Sequence, residues 1–187
     1  MRIGPNNIWV SLGANIPGTW GTPAASLCRA IVELENAGFH IFARSPLYRT
    51  RPLGSGRQPD YLNMVIGMQG SIGPGMLLRL LKRLERRAGR IKRGHWKPRP
   101  LDLDILDFGG RVIGCRPHNR VEGQLVLPHP ELHRRGFVLV PLVTAAHSWR
   151  HPALGAHVSQ ILARTPSLAR GIEQTVGMPV HQRSGAT

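Results

Sequence analysis

The sequence predicts an α+β fold, a ferredoxin-like sandwich in which helices pack on a largely antiparallel sheet. Apolar segments with strand or helix periodicity follow one another in the order strand, helix, strand, strand, helix, strand, and only short pieces come after them. The 187 residues are 41% hydrophobic, which is enough for one buried core, and we find no internal repeat among them. We therefore expect a single domain over residues 1–165 and a loosely ordered C-terminal tail over residues 166–187.

The first half of the chain is predicted to contain one helix and three strands. Apolar residues at helical spacing run over residues 23–37, and Gly38 is a suitable C-terminal cap. The strand after this helix is weakened by Pro46, because proline cannot donate to a strand ladder. The three strands are expected over residues 8–12, 39–48 and 61–68, with a loop rich in Gly and Pro over residues 50–60.

The second half contains the clearest helix of the sequence, over residues 74–89. Pro74 lies near its start, leucines line one of its faces and basic residues the opposite face. A basic loop over residues 90–100 leads from this helix into a predicted strand over residues 101–108. The remaining expectations are a short strand at 125–127, an apolar core segment at 137–144 and a short helix at 156–163.

The charge balance indicates a polyanionic partner, whether nucleic acid, acidic lipid or a nucleoside triphosphate. Lys and Arg number 25 against 10 acidic residues, a formal net charge of +15. Residues 1–7 do not resemble a secretory signal, and we find no apolar run of the roughly 18 residues needed to cross a bilayer. Cys28 and Cys115 are far apart and form no CxxC pair, which is typical of a reducing compartment. We expect a cytoplasmic, monomeric protein with no membrane partner and no dedicated nucleic-acid partner.

Two aspartates in the predicted strand at 101–108 suggest a metal site. The side-chain period of two places Asp102 and Asp104 on one strand face, with Cα atoms roughly 6 to 7 Å apart. Like charges at this separation raise each other's pKa unless a cation lies between them, and paired carboxylates suit Mg²⁺. The alternative is an exposed strand face on which both aspartates pair with arginines from neighbouring strands.

The aspartates follow directly on a dense run of basic residues. Residues 79–99 contain ten Lys or Arg and one acid, Glu85. The basic residues on the helix have an ordinary interpretation as a solvated face, whereas those in the loop would repel one another without an anion. A metal-bound polyphosphate would satisfy both the basic loop and the carboxylates. Trp96, in the same loop, is either a hydrophobic anchor or a platform that stacks on a flat ring.

Other segments carry weaker signals. Tyr61 and Asn63 share a strand face, and an asparagine offers both a donor and an acceptor to the edge of a heterocycle. His129 and His133 invite a zinc interpretation, but Pro130 lies between them and the HExxH order is absent. Neither a P-loop nor a GxGxxG motif occurs, so these nucleotide-binding loops do not account for the basic region.

Several segments together resemble the 6-hydroxymethyl-7,8-dihydropterin pyrophosphokinase family. The order and spacing agree over most of the chain, and the R-x-x-D-x-D signature that ends in Asp102 and Asp104 is the most specific part. The segments are residues 11–15 (SLGAN), 48–50 (YRT), 58–63 (QPDYLN), 96–105 (WKPRPLDLDI), 127–129 (LPH) and 134–137 (RRGF). The resemblance implies transfer of the β,γ-diphosphate of ATP to the pterin hydroxymethyl group, with release of AMP, in folate biosynthesis.

The resemblance also implies roles for individual residues. Asp102 and Asp104 would hold two Mg²⁺ ions, and Arg90, Lys92 and Arg99 would join them as catalytic residues. The pterin pocket would be formed by Thr50, Leu53, Tyr61, Asn63, Trp96 and Phe137. ATP, the co-substrate, would be bound by Leu78, Lys82, Glu85, Arg90, Lys92, Trp96, Arg99, Ile105, His129 and Arg135.

The chain departs from the family pattern at a few places. Lys97 replaces a usually small residue, Arg51 stands where proline is common, and residues 115–123 resemble an insertion.

The sequence leaves two other functions open. The positive charge suits a nucleic-acid-binding module, although only 5% of the residues are aromatic and no nucleic-acid-binding motif is present. A relative that binds pterin and ATP without turnover is the second alternative.

Overall fold

The computed structural model describes residues 6–52, 58–91, 97–114 and 125–175. It contains a mixed α+β fold with one antiparallel sheet and helices on both of its faces. The strands are β1 (Asn6–Ala14), β2 (His40–Arg44), β3 (Tyr48–Thr50), β4 (Tyr61–Gly70), β5 (Asp102–Phe108) and β6 (Ile172–Gln174). The α-helices are α1 (Pro23–Asn36), α2 (Pro74–Arg87), α3 (Gly136–Ala145) and α4 (Val158–Ala163), and short 3₁₀ helices span Leu132–Arg134 and Pro166–Ala169.

The sheet has the order β5-β1-β4-β3-β6, and β2 pairs with the other end of β4. Every one of these pairings is antiparallel, as the sequence predicts. The long central strands β1 and β4 pair along their full length, from Asn6 opposite Gly70 to Ala14 opposite Leu62. This register places the C-terminal end of β1 beside the N-terminal ends of β4 and β5, where the cleft described below lies.

Alternation along β1 divides the core between two layers. Ile8, Val10 and Leu12 point to the face covered by α1 and α2, whose buried leucines complete the larger cluster. Trp9 points to the opposite face, where the packed residues come from α3, α4 and the segments around them. Because both faces are covered, β1 and β4 are almost continuously buried and do not show a polar side.

The predicted strand over residues 39–48 is wrong in one respect, because it is interrupted. β2 ends at Arg44 and β3 begins at Tyr48, and the break contains Pro46. Pro46 has no N–H for the ladder, and Ser45 maintains the contact with β4 instead. Its N–H donates to the Val65 carbonyl at 2.9 Å, and its hydroxyl accepts from the Val65 N–H at 3.0 Å.

Two further predictions need correction in the C-terminal half. Within the described residues, the strand expected at 125–127 is reduced to a single bridge between Ile113 and Leu127. Structure also continues beyond residue 165, the expected end of the domain. A 3₁₀ helix and β6 follow there, and β6 pairs with β3. The tail from residue 176 onward and the segment 115–123 that resembles an insertion lie outside the described residues.

The apolar segment at 137–144 forms most of α3, and its core position is as predicted. The helix is buried by the sheet on one side and by α4 and the Pro166–Ala169 segment on another. In the residues that the structure describes, no helix is long and apolar enough to span a membrane.

Candidate active site

Asp102 is held between two guanidinium groups at the start of β5. Its Oδ1 accepts from Arg90 Nη1, and its Oδ2 accepts from Arg99 Nη1 at 2.5 Å. Burial is the largest influence on the pKa of Asp102 and opposes ionisation, but the charges of Arg90, Arg99 and Lys82 outweigh it and lower the pKa below its ordinary value. Asp102 is therefore a carboxylate at neutral pH. Arg90 reaches it from the end of α2, and Arg99 from the segment that leads into β5.

Asp104 projects from the same face of β5 and is less tightly paired. Its side chain is 29% exposed and lies 3.8 Å from Lys82 Nζ and 4.0 Å from Arg135 Nη1. Both separations are too long for hydrogen bonds, so these cations balance its charge without occupying its oxygens. Leu103, between the two aspartates, points into the core. The shared strand face predicted for the carboxylates is thus present, and the charge pairs that the alternative expected come from loop, helix and turn instead of from neighbouring strands.

Glu85 lies behind the aspartates and closes the outer edge of β5. Its Oε1 accepts from Lys82 Nζ at 2.7 Å, from Arg90 Nη1 at 2.7 Å and from the Leu103 N–H at 2.8 Å. Lys82 Nζ also donates to the Leu103 carbonyl at 3.3 Å. Burial, the largest influence, raises the pKa of Glu85, although Lys82 and Arg90 act against it. Lys82 and Glu85 therefore make the hydrogen bonds to the backbone N–H and C=O of Leu103 that a neighbouring strand would otherwise make. These bonds fix the backbone between Asp102 and Asp104.

Polar residues with few degrees of freedom form the other end of the site. Asn63, on β4, is buried and donates through Nδ2 to the Thr50 hydroxyl on β3 at 2.7 Å. Gly13, on β1, lies opposite Asn63 in the sheet, and a Cβ added there would come within 2.9 Å of Asn63 Oδ1. The neighbouring Tyr61 donates its hydroxyl to the Lys97 carbonyl at 3.3 Å. A bound heterocycle would therefore meet an amide edge whose orientation is already fixed.

Asn15 ties the segments around the site together. Its Oδ1 accepts from the Arg99 N–H at 2.7 Å, and its Nδ2 donates to the Pro59 carbonyl at 3.2 Å. Its own N–H donates to the Arg99 carbonyl at 3.0 Å. The end of β1 therefore positions both the segment that carries Arg99 and the segment that leads into β4.

These residues surround one cleft with an empty volume of about 820 Å³, open solvent included. Its described lining consists of Ser11, Leu12, Gly13, Thr50, Arg51, Gln58, Tyr61, Asn63, Arg99, Asp102, Asp104, Arg135 and Phe137. The structure thus brings together the predicted pterin residues Thr50, Tyr61, Asn63 and Phe137 with the predicted phosphate and metal residues Arg99, Asp102, Asp104 and Arg135.

Other predicted residues lie behind the cleft or away from it. Arg90, Lys82 and Glu85 contact the carboxylates or their backbone from behind. Ile105 is buried in the core, where Leu78 packs against the same cluster, and neither residue lines the cleft. His129 also lies outside the lining. Its Nδ1 accepts from the Glu131 N–H at 3.2 Å, and burial, the largest influence, lowers its pKa, although the charge of Asp104 acts against this. Leu53, Lys92 and Trp96 lie outside the described residues.

Five lining residues were not predicted as site residues: Ser11, Leu12, Gly13, Arg51 and Gln58. Gly13 is the most informative of them, because it lies within β1 directly opposite Asn63. The reason for the glycine is steric, since Asn63 occupies the space that a Cβ would need.

Comparison with known proteins gives the family. Residues 9–147 match the family model of 7,8-dihydro-6-hydroxymethylpterin-pyrophosphokinase (HPPK). The chain belongs to this family. Curated HPPK relatives include one from Synechocystis sp., 36% identical over 86% of this chain and 76% of its own length. A second, from Pseudomonas aeruginosa, is 34% identical over 91% of this chain and 97% of its own length. Both are named 2-amino-4-hydroxy-6-hydroxymethyldihydropteridine pyrophosphokinase, an enzyme of folate biosynthesis.

Solved structures agree with the HPPK assignment at the level of the fold. One crystal structure of Plasmodium falciparum HPPK-DHPS superimposes with a TM-score of 0.69 at 14% identity, covering 91% of this chain and 49% of the longer one. A wild-type structure of the same protein with pteroate gives a TM-score of 0.64 at 12% identity. This chain therefore spans about half of these structures and has the fold of that half.

Proposed function

We propose that this chain transfers the β,γ-diphosphate of ATP to the hydroxymethyl oxygen of 6-hydroxymethyl-7,8-dihydropterin and releases AMP. The observation that carries the proposal is that one cleft contains two carboxylates with their cations and, beside them, an amide whose orientation is fixed by a hydrogen bond to a hydroxyl. Asp102 and Asp104 lie on one strand face among Arg99, Arg135 and Lys82. Asn63 and Thr50 lie at the other end. The charged polyphosphate chain of ATP is complementary to the first end. The flat, hydrogen-bonding pterin ring is complementary to the second.

The pterin is proposed to lie against Asn63 and Thr50. Asn63 Nδ2 is engaged by Thr50, which leaves its amide oxygen to accept a hydrogen bond from a ring N–H. Tyr61 and Phe137 border the same space, and Leu53 and Trp96 are proposed to complete it. The hydroxymethyl group would then point along the cleft toward the aspartates.

The transfer needs positioning and charge neutralisation more than acid–base chemistry. The hydroxymethyl oxygen forms a bond to the β-phosphorus, the bond from that phosphorus to the α,β-bridging oxygen breaks, and AMP leaves with the bridging oxygen. The hydroxyl proton passes to solvent. Arg90, Arg99 and Arg135, with Lys92 and His129, are proposed to stabilise the charge on the phosphate oxygens. The nucleotide end is proposed to be supported from the core side of the cleft by Lys82, Glu85, Leu78 and Ile105.

The donor set fits Mg²⁺. Asp102 and Asp104 offer hard oxygens from one strand face, and Asp104 stands clear of direct hydrogen bonds from Lys82 and Arg135. In the described part of the chain, no group of three or more His, Cys, Asp or Glu side chains is placed to hold a metal alone. Mg²⁺ commonly uses one or two carboxylates and completes its shell with water and phosphate oxygens. We propose two Mg²⁺ ions held by Asp102 and Asp104, whose charge would offset that of the polyphosphate.

The test is to incubate the protein with ATP, Mg²⁺ and 6-hydroxymethyl-7,8-dihydropterin and to identify the nucleotide product. AMP that forms only when pterin is present supports the proposal, and ADP would mean an ordinary kinase. D102N and D104N should each reduce AMP formation by about 10² to 10³-fold, as losses of transition-state charge stabilisation do. The matched control is E35Q, which removes a surface carboxylate on α1 that pairs with Arg44. Binding of both substrates without turnover would instead indicate an inactive relative.

We also propose that the protein works as a monomer in the cytoplasm. Residues of this chain line both ends of the described cleft, Asn63 and Thr50 at one end and Asp102 and Asp104 at the other. Light scattering at assay concentration tests the monomer, and a dimer mass would contradict it. Microscopy of a fluorescent fusion tests the compartment.

A further inference from the structure

The C-terminal segment that follows α4 touches both walls of the cleft. This segment, called the brace below, consists of the Pro166–Ala169 3₁₀ helix and strand β6. Within it, β6 pairs with the edge of β3. The register places Ile172 opposite Thr50, and Gln174 opposite Tyr48. Just beyond β6, the Thr175 N–H donates to the Leu47 carbonyl at 2.9 Å. The strand that carries Thr50 is thus held by β4 on one side and by the brace on the other.

The same brace lies against the start of α3. A Cβ added to Gly136 would fall 1.7 Å from the Leu168 carbonyl oxygen and 3.2 Å from Ile172 Cδ1, so the backbone there is already in close contact with the brace. Gly136 lies between Arg135 and Phe137, which both line the cleft. Its lack of a side chain lets the brace approach this close.

Ile172 is the residue that joins these two contacts. Its side chain lies on the same sheet face as that of Thr50, because directly opposite residues of an antiparallel pair share a face, with Cβ atoms about 4.5 to 5.5 Å apart. Its Cδ1 lies 3.2 Å from the position that a Cβ on Gly136 would occupy. One side chain therefore spans the gap between the β3 wall and the α3 wall of the cleft.

We propose that Ile172 is a positioning residue for the pterin end of the site, setting the distance between Thr50 and Phe137. This inference rests on the proposed function. Shortening the side chain would leave space between the two walls, which are also joined by the pair Tyr48 Oη and Thr144 Oγ1, 2.8 Å apart, and by the packing of α3 on β3 and β4. Most of the nucleotide end is built by α2, β5 and the segment that carries Arg99, which these links do not reach. Arg135 is the exception, because it adjoins Gly136 in the chain. Loss of Ile172 should therefore weaken pterin binding more than ATP binding.

The experiment compares I172A, I172V and the control E173A in the full chain. Glu173 lies next to Ile172 in β6 and its side chain is exposed, so E173A keeps the strand pairing. Dissociation constants for 6-hydroxymethylpterin and for ATP are measured by fluorescence titration, below the unfolding temperature of each variant. I172A should weaken pterin binding and raise KM for pterin about tenfold, as a small misplacement of contacting groups does, and should weaken ATP binding much less. I172V should lie between I172A and wild type, and E173A should equal wild type.

The outcomes separate this inference from the proposed function. If wild type forms pterin-dependent AMP and I172A binds pterin as well as wild type does, the positioning role is wrong. It is also wrong if I172A weakens ATP and pterin equally, since that is the result of general destabilisation. If I172A is not folded at the assay temperature, I172V decides the question. We expect its pterin dissociation constant to rise about threefold, and an unchanged constant would overturn the inference. Absence of pterin binding by wild type would overturn the proposed function itself.

Discussion

At the scale of single residues, Gly13 shows how packing at the pterin end excludes a side chain. Its backbone angle is not in the left-handed region that favours glycine, so the constraint is the 2.9 Å approach to Asn63 Oδ1. G13A should push the Asn63 amide out of its orientation and disturb its bond to Thr50. We expect about tenfold weaker pterin binding, equal to about 1.4 kcal/mol, with ATP binding unchanged, as measured by fluorescence titration.

The matched control for G13A is G75A. Gly75 lies in the first turn of α2, and an added Cβ meets nothing within 4 Å. Alanine there should leave pterin binding unchanged and stabilise the fold by about 0.5 to 1 kcal/mol, because it lowers the conformational entropy of the unfolded chain. Equal pterin affinities for G13A and wild type would show that Asn63 adjusts without cost.

Glu85 stabilises the fold behind the cleft, because one oxygen of its buried carboxylate contacts three hydrogen-bond donors. E85Q would keep an acceptor for the Leu103 N–H and remove the charge that balances Lys82 and Arg90. Lys82 is 38% exposed and can turn to water, which limits the loss. We expect the free energy of unfolding to fall by about 1 to 3 kcal/mol in urea titrations.

The comparison for E85Q is E35Q, whose pair with Arg44 is exposed at the surface. It should change the free energy of unfolding by no more than about 0.5 kcal/mol. A loss in E85Q as small as in E35Q would mean that the buried charge of Glu85 contributes little and that the Leu103 contact alone matters.

At the scale of elements, the sequence predicts what regular periodicity encodes. α2 combines a leucine face with Pro74 at its start, and its observed end at Arg87 lies close to the predicted one. β5 shows the alternation that places Asp102 and Asp104 together. By contrast, α3 is apolar on all sides because it is buried between layers, so its period could not distinguish helix from strand. β6 has only three residues, two of them charged or polar, and it is a strand because β3 offers it an edge.

The site divides in the same way. Asp102, Asp104 and Arg99 could be predicted because their types and spacing carry the chemistry, whereas Arg135 was assigned only from the resemblance to the family. Ser11 and Leu12 line the cleft only because the register of β1 with β4 and β5 brings them there. Gln58 and Arg51 come from segments on either side of a gap in the described chain, and their placement depends on tertiary structure alone.

The turn between α3 and α4 predicts a pH dependence of stability. His151 is buried, and its Nδ1 accepts from the N–H groups of Ala153 and Leu154 at 3.2 and 3.3 Å, which requires the neutral ring. Burial is the largest influence and, with the nearby His133, lowers the pKa of His151 below its ordinary value of 6.5. The unfolded chain therefore binds a proton at His151 more readily than the folded protein does. This contribution to stability is fully present above pH 6.5, the pKa in the unfolded chain, and is lost as the pH falls from there through the lower pKa of the folded protein.

The measurement is the free energy of unfolding of wild type and H151Q at pH values from 7.5 to about 5. Wild type should lose more stability than H151Q over this interval, because glutamine supplies an acceptor that does not titrate there. The control H40Q changes an exposed histidine of β2 and should follow wild type. Identical slopes for wild type and H151Q would contradict a buried neutral His151.

At the scale of the whole molecule, the cations are unevenly arranged with respect to the cleft. Arg79, Arg83 and Arg86 occupy exposed positions on α2, the helix whose C-terminal end leads to Arg90 and the carboxylates. Their fields add to those of Arg99 and Arg135 inside the cleft, and they belong to a chain of net charge +15. Such a field attracts an anionic ligand before any contact forms, and salt weakens it with distance, over a screening length of about 10 Å in 0.1 M salt.

This arrangement predicts a different salt dependence for the two substrates. ATP keeps a net negative charge even with Mg²⁺ bound, whereas the pterin is neutral at pH 7. Raising NaCl from about 0.05 to about 0.5 M should therefore weaken ATP binding several-fold and leave pterin binding nearly constant, because salt screens only the charged ligand's attraction. The double variant R79Q/R83Q should bind ATP more weakly than wild type at low salt and equally at high salt, since these exposed arginines act over a distance. Equal salt effects on ATP and pterin would instead indicate that salt alters the fold of the cleft, and a deficit of R79Q/R83Q that persists at high salt would indicate direct contact between this face of α2 and the nucleotide.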